Sequence, residues 1–383
     1  MQYKILFISN TAIFSRFNLH FMRWFRQQGW QVDYVSNGEV QIPDCTNQYS
    51  IPIQRNPYRL ENVIAYCKLK KILLNGYDII HCHTPMGGIL GRLAIKNYCI
   101  KTKLLYTAHG FHFYKGAPFM NWLLYYPMEK YFAKYTDILI TINEEDYKNA
   151  KYKLSSCKSI YKVDGVGVDL SRFRLHTLDE RVQLRNKLGY REDDFILTNV
   201  AELNKNKNQI MLIKILPILK KTIPSLKILF IGSDNNSGFK RKLELLADKL
   251  EVNDVVCFLG YRYDVENLTA ISDVAFSASF REGLPVNIIE AMASGIPVVC
   301  KKNRGHDSLI ENGHTGLLFS NSMEMMDNIL KIYNSKKTVD FLSKNALENS
   351  KRYDRELIMS KMACIYRRCM PEYMMEDDLC KKP

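Results

Sequence analysis

The sequence predicts an α/β protein made of two doubly wound domains, and three observations carry that reading. Short apolar runs alternate with stretches of helical spacing, first in one half of the chain and then again in the other. At 383 residues the chain exceeds what one ordinary hydrophobic core organises. The third observation is the stretch 281–299, which carries Glu282, Gly283, Leu284, Pro285, Glu290, Gly295 and Pro297 and lies between two strand-like runs. Pro285 suits a first helical turn and Gly295 a helix end, so this stretch reads as a loop and helix above a sheet edge.

Taken in order, the first half reads as strands at 4–9, 31–36, 79–83, 103–108 and 138–142. Helices are expected at 17–28, 60–74, 88–97 and 120–134, with a further start at Asn143, an N-cap followed by three acidic residues. Five strands with crossovers make one domain. Residues 161–188 read as a connection. The second half reads as strands at 195–200, 227–231, 255–259, 273–279 and 297–300, with helices at 208–221 and 239–250. Leu357, Ile358, Met362 and Ile365 recur at helical spacing, so the tail is expected to pack back on the first half, and residues 376–383 to fray. The expected domains are 1–174, together with a helix at about 356–383, and 175–355.

Composition narrows the function. Hydrophobic residues make 46% and charged residues 25% of the chain, as in globular proteins. The start of the chain lacks a signal-peptide layout and no apolar run is long enough to span a bilayer, so a cytoplasmic location is expected. Ten cysteines without a CxxC pair read as free thiols. His81 and His83 share one strand face, but no further ligands stand at metal spacing, so no metal is expected. A net charge of +14 favours an anionic partner: phosphorylated small molecules or anionic lipid, rather than nucleic acid, for which no binding motif is present. A dehydrogenase is disfavoured because no GxGxxG follows a first strand. Aromatic residues interleave with basic ones at 14–30 and 111–135, a pattern that suits either an anionic membrane surface or a core helix with a wet basic face.

The two acidic residues of the opening stretch, eight apart, are followed by Ala291-Met292-Ala293-Ser294-Gly295-Ile296-Pro297-Val298-Val299 and then Gly313-His314-Thr315-Gly316-Leu317. Lys207 lies in Ala201-Glu202-Leu203-Asn204-Lys205-Asn206-Lys207-Asn208, Tyr261 and Arg262 in Gly260-Tyr261-Arg262-Tyr263-Asp264, and His109 in Thr107-Ala108-His109-Gly110-Phe111-His112. In this set and order the chain resembles the retaining GT-B fold glycosyltransferases of family 4, and among them bacterial exopolysaccharide and capsule enzymes.

The resemblance implies two Rossmann-like domains facing across a cleft, a nucleotide-sugar donor (a UDP-sugar) and a glycan or lipid-linked acceptor. It implies that His109, Lys207 and Glu282 carry the chemistry. Glu282, with the NH groups of Gly283 and Leu284, would face the donor sugar and distal phosphate, and Glu290 the ribose hydroxyls. Lys207 would sit on the diphosphate, the backbone at Tyr261 and Arg262 on the base, and His109 on the donor sugar. No cofactor or metal is implied. The family usually has Gly-Arg-Leu where this chain has Ala201-Glu202-Leu203, so Lys205, Arg262 or Arg281 is expected to supply the missing positive charge. Paired glycines common after the first strand are replaced by Ser9 to Arg16, which leaves Asn10, Thr11 and Arg16, with Gly87, as acceptor-side candidates. Peripheral binding at an inner membrane face accords with a lipid-linked acceptor. The competing readings are a UDP-sugar epimerase of the same fold and a non-catalytic nucleotide-sugar-binding subunit.

Overall fold

The computed structural model describes residues 2–96 and 101–370. Helix 88–97, the frayed tail 376–383, Cys99 and Cys380 therefore lie partly or wholly outside the described residues. The chain divides into two units, Met1–Gly167 with Glu356–Pro383, and Val168–Arg355. The divide falls ahead of the expected residue 174 because the connection is already bound to the second unit. Val168 N donates to Tyr353 O at 2.8 Å, Arg355 N donates to Val168 O at 2.9 Å, and Phe173 packs in the cluster that holds Tyr353.

In the first unit a parallel sheet of seven strands is formed by β1 (Lys4–Ile8), β2 (Gln31–Ser36), β3 (Asn47–Ser50), β4 (Ile79–His83), β5 (Lys103–Ala108), β6 (Ile138–Thr141) and β7 (Ser159–Lys162). Their order is β3-β2-β1-β4-β5-β6-β7. Side chains alternate across each strand, so Leu6 and Ile8 enter the core under helices Glu61–Leu73, Pro85–Ile95 and Phe119–Ala133, and Ile5 and Phe7 the opposite one. That opposite core is closed by Leu19–Gln27 and by Arg355–Arg367, whose Ile358, Met362, Ile365 and Tyr366 are buried in it. The tail thus packs on the first unit, as its spacing predicts.

The expectation of five strands needs correction. β3 and β7 are the polar edge strands Asn-Gln-Tyr-Ser and Ser-Ile-Tyr-Lys, which carry no apolar run because they bury little. The reading of 161–188 as a connection is likewise overturned, since Ser159–Lys162 is a strand and Leu178–Leu188 a helix. That helix opens with a capping box between Thr177 and Glu180 and is anchored by a charged residue rather than an apolar stripe. Arg185, buried, holds Asp273 at 2.8 Å and donates to the carbonyls of Ile271, Glu192 and Asp194.

The second unit carries β8 (Phe195–Val200), β9 (Leu226–Ile231), β10 (Val256–Gly260), β11 (Val274–Ser277), β12 (Val298–Lys301) and β13 (Leu317–Phe319). They run parallel in the order β10-β9-β8-β11-β12-β13. The expected helix 208–221 is two helices, Gln209–Ile213 and Leu216–Thr222, with Pro217 in the first turn of the second. β13 and the helices Ser322–Tyr333 and Lys336–Ser350 complete the unit. Between β11 and β12 lies the helix Val286–Ala293. Pro285 stands as its extended N-cap rather than in its first turn, and Gly295 follows it at φ +70°.

Of the two readings of 14–30, the structure gives the core helix. Phe21, Phe25 and Trp30 are buried, and Trp24 stacks on Tyr366 with centroids 6.0 Å apart. In 111–135 the roles divide: Phe111 and Phe113 are buried with Trp122 and Tyr126 against them, whereas Phe119, Met120 and Leu123 are exposed.

Candidate active site

In an open parallel sheet the strand order reverses at one point, and the loops there, at the carboxyl ends, diverge to leave room for a ligand. In the second unit that point lies between β8 and β11. The loops after both strands are stitched together: Phe280 N donates to Asn206 O at 2.8 Å, and Asn206 Nδ2 to Arg281 O at 3.1 Å. Asn208, at φ +54°, turns the chain into the following helix. This brings Lys207 Nζ to 2.6 Å from Glu282 Oε1, both side chains partly buried. Two residues far apart in sequence thus meet, a cation and a carboxylate at one loop junction.

The loop after β12 closes on them. Asn303 donates to Ser279 O at 2.8 Å, and its Oδ1 caps the NH groups of Gly305 and His306. A Cβ on Gly305 would lie 2.6 Å from Glu282 Cβ and 2.9 Å from Glu282 C and O, so only glycine lets this loop approach. His306 is buried and its Nδ1 lies 2.6 Å from Lys301 O, which makes Nδ1–H the donor. Its Nε2 is a buried acceptor without a partner. Burial lowers its pKa, and Glu282 and Lys207 act on it in opposite senses. Sequence reasoning missed Gly305 and His306. Their signal was an Asn–x–Gly–His run after a strand, in register with the other two loops.

Glu202, the departure from the family pattern, is turned aside: its Oε1 accepts from Asn235 Nδ2 at 2.8 Å in the loop after β9. That loop is packed so tightly that a Cβ on Gly232 would stand 2.0 Å from Ala201 O. Among the positive charges expected to compensate, Arg262 is engaged by Asp264 through two bonds of 2.8 and 2.7 Å. Lys205 and Arg281 are exposed and carry no side-chain partner among the described residues. Tyr261 is half-exposed beside Tyr263. Gly283 and Leu284, between Glu282 and the helix cap Pro285, are partly buried.

Glu290 lies within the helix after that cap, in a different neighbourhood from Glu282. Burial pushes its carboxyl up to about 7; Arg172 and Arg355 oppose this, and Glu266 adds to it. Arg172, which the sequence left in the connection, bonds Glu266 Oε2 at 2.6 Å and Tyr263 O at 2.7 Å, and so ties the connection to the 261–264 loop and to the helix Val265–Ala270 that follows it.

In the first unit three histidines gather at the carboxyl ends of β4 and β5. His81 Nδ1 lies 2.7 Å from Tyr366 Oη and its Nε2 lies 2.8 Å from Thr107 Oγ1. His83 Nδ1 meets His109 Nε2 at 3.1 Å, and Phe14 packs edge-on against the His109 ring. His83 Nε2 is buried without a partner among the described residues. An orphaned acceptor costs less than an orphaned donor, so His83 carries its proton on Nδ1 and donates it to His109 Nε2. His109 then holds its own proton on Nδ1. Burial lowers the pKa of His109 to about 4 and of His81 to about 3, so both are neutral near pH 7. Among the described residues no group of His, Cys, Asp and Glu is arranged to hold a metal.

Of the acceptor-side candidates, Asn10 and Thr11 line a depression of about 480 Å³ after β1, and Asn10 N donates to Thr84 Oγ1 at 3.1 Å. Arg16 is exposed. Gly87 is buried, with space for a Cβ only 3.1 Å from Ser9 Cα and 3.2 Å from Ile8 O, so it packs its helix on β1. All eight described cysteines are free, four of them buried.

Fold and loops together define a GT-B group-transfer enzyme. Residues 4–143 match the family described as Glycosyl transferase 4-like, and residues 180–349 match Glycosyl transferases group 1. The chain is 42% identical to a protein of Bacillus subtilis named "Putative glycosyltransferase EpsD", covering 96% of this chain and 97% of that one. It is 27% identical to the UDP-Gal:alpha-D-GlcNAc-diphosphoundecaprenol alpha-1,3-galactosyltransferase of Escherichia coli, over 79% of each chain. Among solved structures, Anabaena HepE in complex with UDP and glucose superposes with a TM-score of 0.78 at 19% identity, covering 96% of this chain and all of that one. The chain belongs to this glycosyltransferase family and resembles its exopolysaccharide-synthesis members.

Proposed function

We propose that the protein transfers a sugar from a UDP-sugar to a lipid-linked saccharide, with retention at the anomeric carbon, in exopolysaccharide or capsule synthesis at the inner face of the membrane. The observation that carries this reading is the Lys207–Glu282 pair at 2.6 Å, held at the switch point by three interlocked loops. A UDP-sugar brings both groups that such a pair separates to receive: a diphosphate for the ammonium and sugar hydroxyls for the carboxylate. The relatives' names, one with a UDP-Gal donor and a diphosphoundecaprenol acceptor and one with bound UDP and glucose, support the donor and acceptor classes.

In the proposed reaction the bond between the anomeric carbon and the diphosphate oxygen breaks and UDP leaves. The acceptor oxygen bonds to the same face of that carbon, and its proton passes to the departing diphosphate. Lys207, with Lys205 or Arg281, neutralises the charge that develops there, and NH groups of Gly283 and Leu284 add to it. Glu282 orients the sugar and Glu290 accepts from the ribose hydroxyls, and neutral His109 is a candidate hydrogen-bond donor. In this scheme the lysine and backbone donors do what a divalent ion does elsewhere, and no metal is needed. The non-catalytic reading draws on Glu202 in place of the family's arginine, and the bond of Glu202 to Asn235 supports the transferase over it.

A panel of UDP- and GDP-sugars, scored for nucleotide release with and without membrane extract containing lipid-linked saccharides, tests this reading. Release of UDP that needs both a UDP-sugar and the extract supports it. Interconversion of a UDP-sugar without acceptor would point to the epimerase instead.

A further inference from the structure

We infer that residues 54–67 form the acceptor dock, an anion subsite built on Arg55 and Arg59 continuous with an apolar helix face, and that its ligand is a lipid diphosphate. The inference rests on the proposed lipid-linked acceptor and gives that acceptor a place on the chain.

The depression after β1 is bordered by Asn10 and Thr11, by Asn37 after β2, and by Arg55, Asn56 and Arg59 in the connection after β3. All stand at the carboxyl ends of adjacent strands. The connection is a built loop: buried Asn62 accepts from Gln54 N at 2.8 Å and donates to Asn56 O at 2.9 Å, and Asn37 Nδ2 donates to Ile53 O at 3.2 Å. Among the described residues no carboxylate lines the depression. Arg59 is paired with Glu61 at 2.6 Å, just outside it, whereas exposed Arg55 carries no side-chain partner among the described residues. Amides, a hydroxyl and an uncommitted guanidinium suit phosphate oxygens.

The helix that follows, Glu61–Leu73, is apolar on both sides. Its inner face, Ala65, Leu69 and Leu73, is buried in the core. Its outer face should be polar, yet Leu60, Val63 and Ile64 are 80, 60 and 52% exposed, and Cys67 is exposed too, at helical spacing i, i+3, i+4, i+7. Tyr58, 76% exposed, joins this stripe to the arginines. Scattered exposed apolar residues need no explanation, but a continuous row beside cations does. Exposed Lys68, Lys70 and Lys71 flank it, so the surface pairs apolar groups with positive charge, the complement of an anionic headgroup on a hydrocarbon chain.

The test uses the full-length protein and phosphatidylcholine vesicles with or without a polyprenyl diphosphate, read by cosedimentation, which needs no turnover. Doped vesicles should bind wild type at least about tenfold more tightly than plain ones, and Arg55→Ala should abolish that preference, the scale of one charged hydrogen bond. The double variant Val63→Ser with Ile64→Ser, on exposed positions that leave the fold alone, should weaken binding to both vesicles. Equal binding to both vesicles, an unaltered Arg55→Ala, or free inorganic diphosphate competing as well as the lipid would each overturn the inference. UDP affinity, measured on the same variants by calorimetry, should not change. Vesicle binding with no sugar transfer in any assay would sink the proposed reaction and leave the dock standing.

Discussion

At the scale of single residues the account turns on contacts whose chemistry can be removed one group at a time. Lys207→Ala should lower turnover on the order of 10²-fold or more, as loss of one preorganised stabilising group does; an undiminished rate in a steady-state assay would remove the residue from the mechanism. Gly305→Ala should lower turnover with the fold intact by circular dichroism, because its new Cβ meets Glu282 at 2.6 Å. The Glu290 carboxyl, raised to about 7 by burial, gives a signed pH prediction. If ribose is held by the carboxylate, affinity for UDP is full above pH 7 and falls about tenfold per pH unit below it. Glu290→Gln should bind UDP weakly at all pH values and lose that slope. The same shift means the folded state binds a proton that the unfolded chain has lost between about pH 4.5 and 7, so in wild type this residue's contribution to stability declines as pH rises through that window. Lys207, Glu282 and Glu290 were singled out by the resemblance, and the structure places the first two in strand-end loops and the third inside a helix. His306 and Arg172 were not legible, since each depends on which loop faces which; the capture of Arg262 by Asp264 is local and turns on side-chain rotamers within one loop.

At the scale of elements, strands that bury both faces announce themselves and edges do not. β1, β4 and β5 are buried along nearly their whole length, with His81, His83 and Thr107 set among apolar residues, and were read from sequence within a residue or so, whereas β3 and β7 are polar edges and β13 is only three residues long. The helix Leu178–Leu188 was missed because its anchor is Arg185 rather than an apolar stripe. A comparable anchor lies under the first unit's helices, where buried Arg92 and Glu129 meet at 2.6 Å, with Arg92 above the Tyr106 ring. Removing one partner strands a buried charge, so Glu129→Ala should destabilise the first unit by about 3–5 kcal/mol. Urea unfolding followed by tryptophan fluorescence checks this, since all three tryptophans, Trp24, Trp30 and Trp122, belong to that unit. A midpoint equal to wild type would show the pair to be replaceable. The aromatic-basic pattern of 14–30 illustrates the limit of composition: the same residues that suit a membrane surface build a core when Trp24 and Phe25 find Tyr366.

For the whole molecule, each of the two units is a parallel sheet with its own set of strand-end loops. The loops of the second unit are the more fully specified, with Lys207, Glu282 and Gly305 interlocked. In the first unit burial keeps His109 neutral near pH 7, and the depression beside Arg55 lies after β1. Retaining transfer from a UDP-sugar to a lipid diphosphate saccharide is what we propose, and the anomeric configuration of the product reads it out. With a UDP-α-sugar donor that supports UDP release and a synthetic polyprenyl-diphosphate saccharide, NMR of the product should show a new α-glycosidic linkage. A β-linked product, or UDP released with no sugar joined to the acceptor, would contradict it.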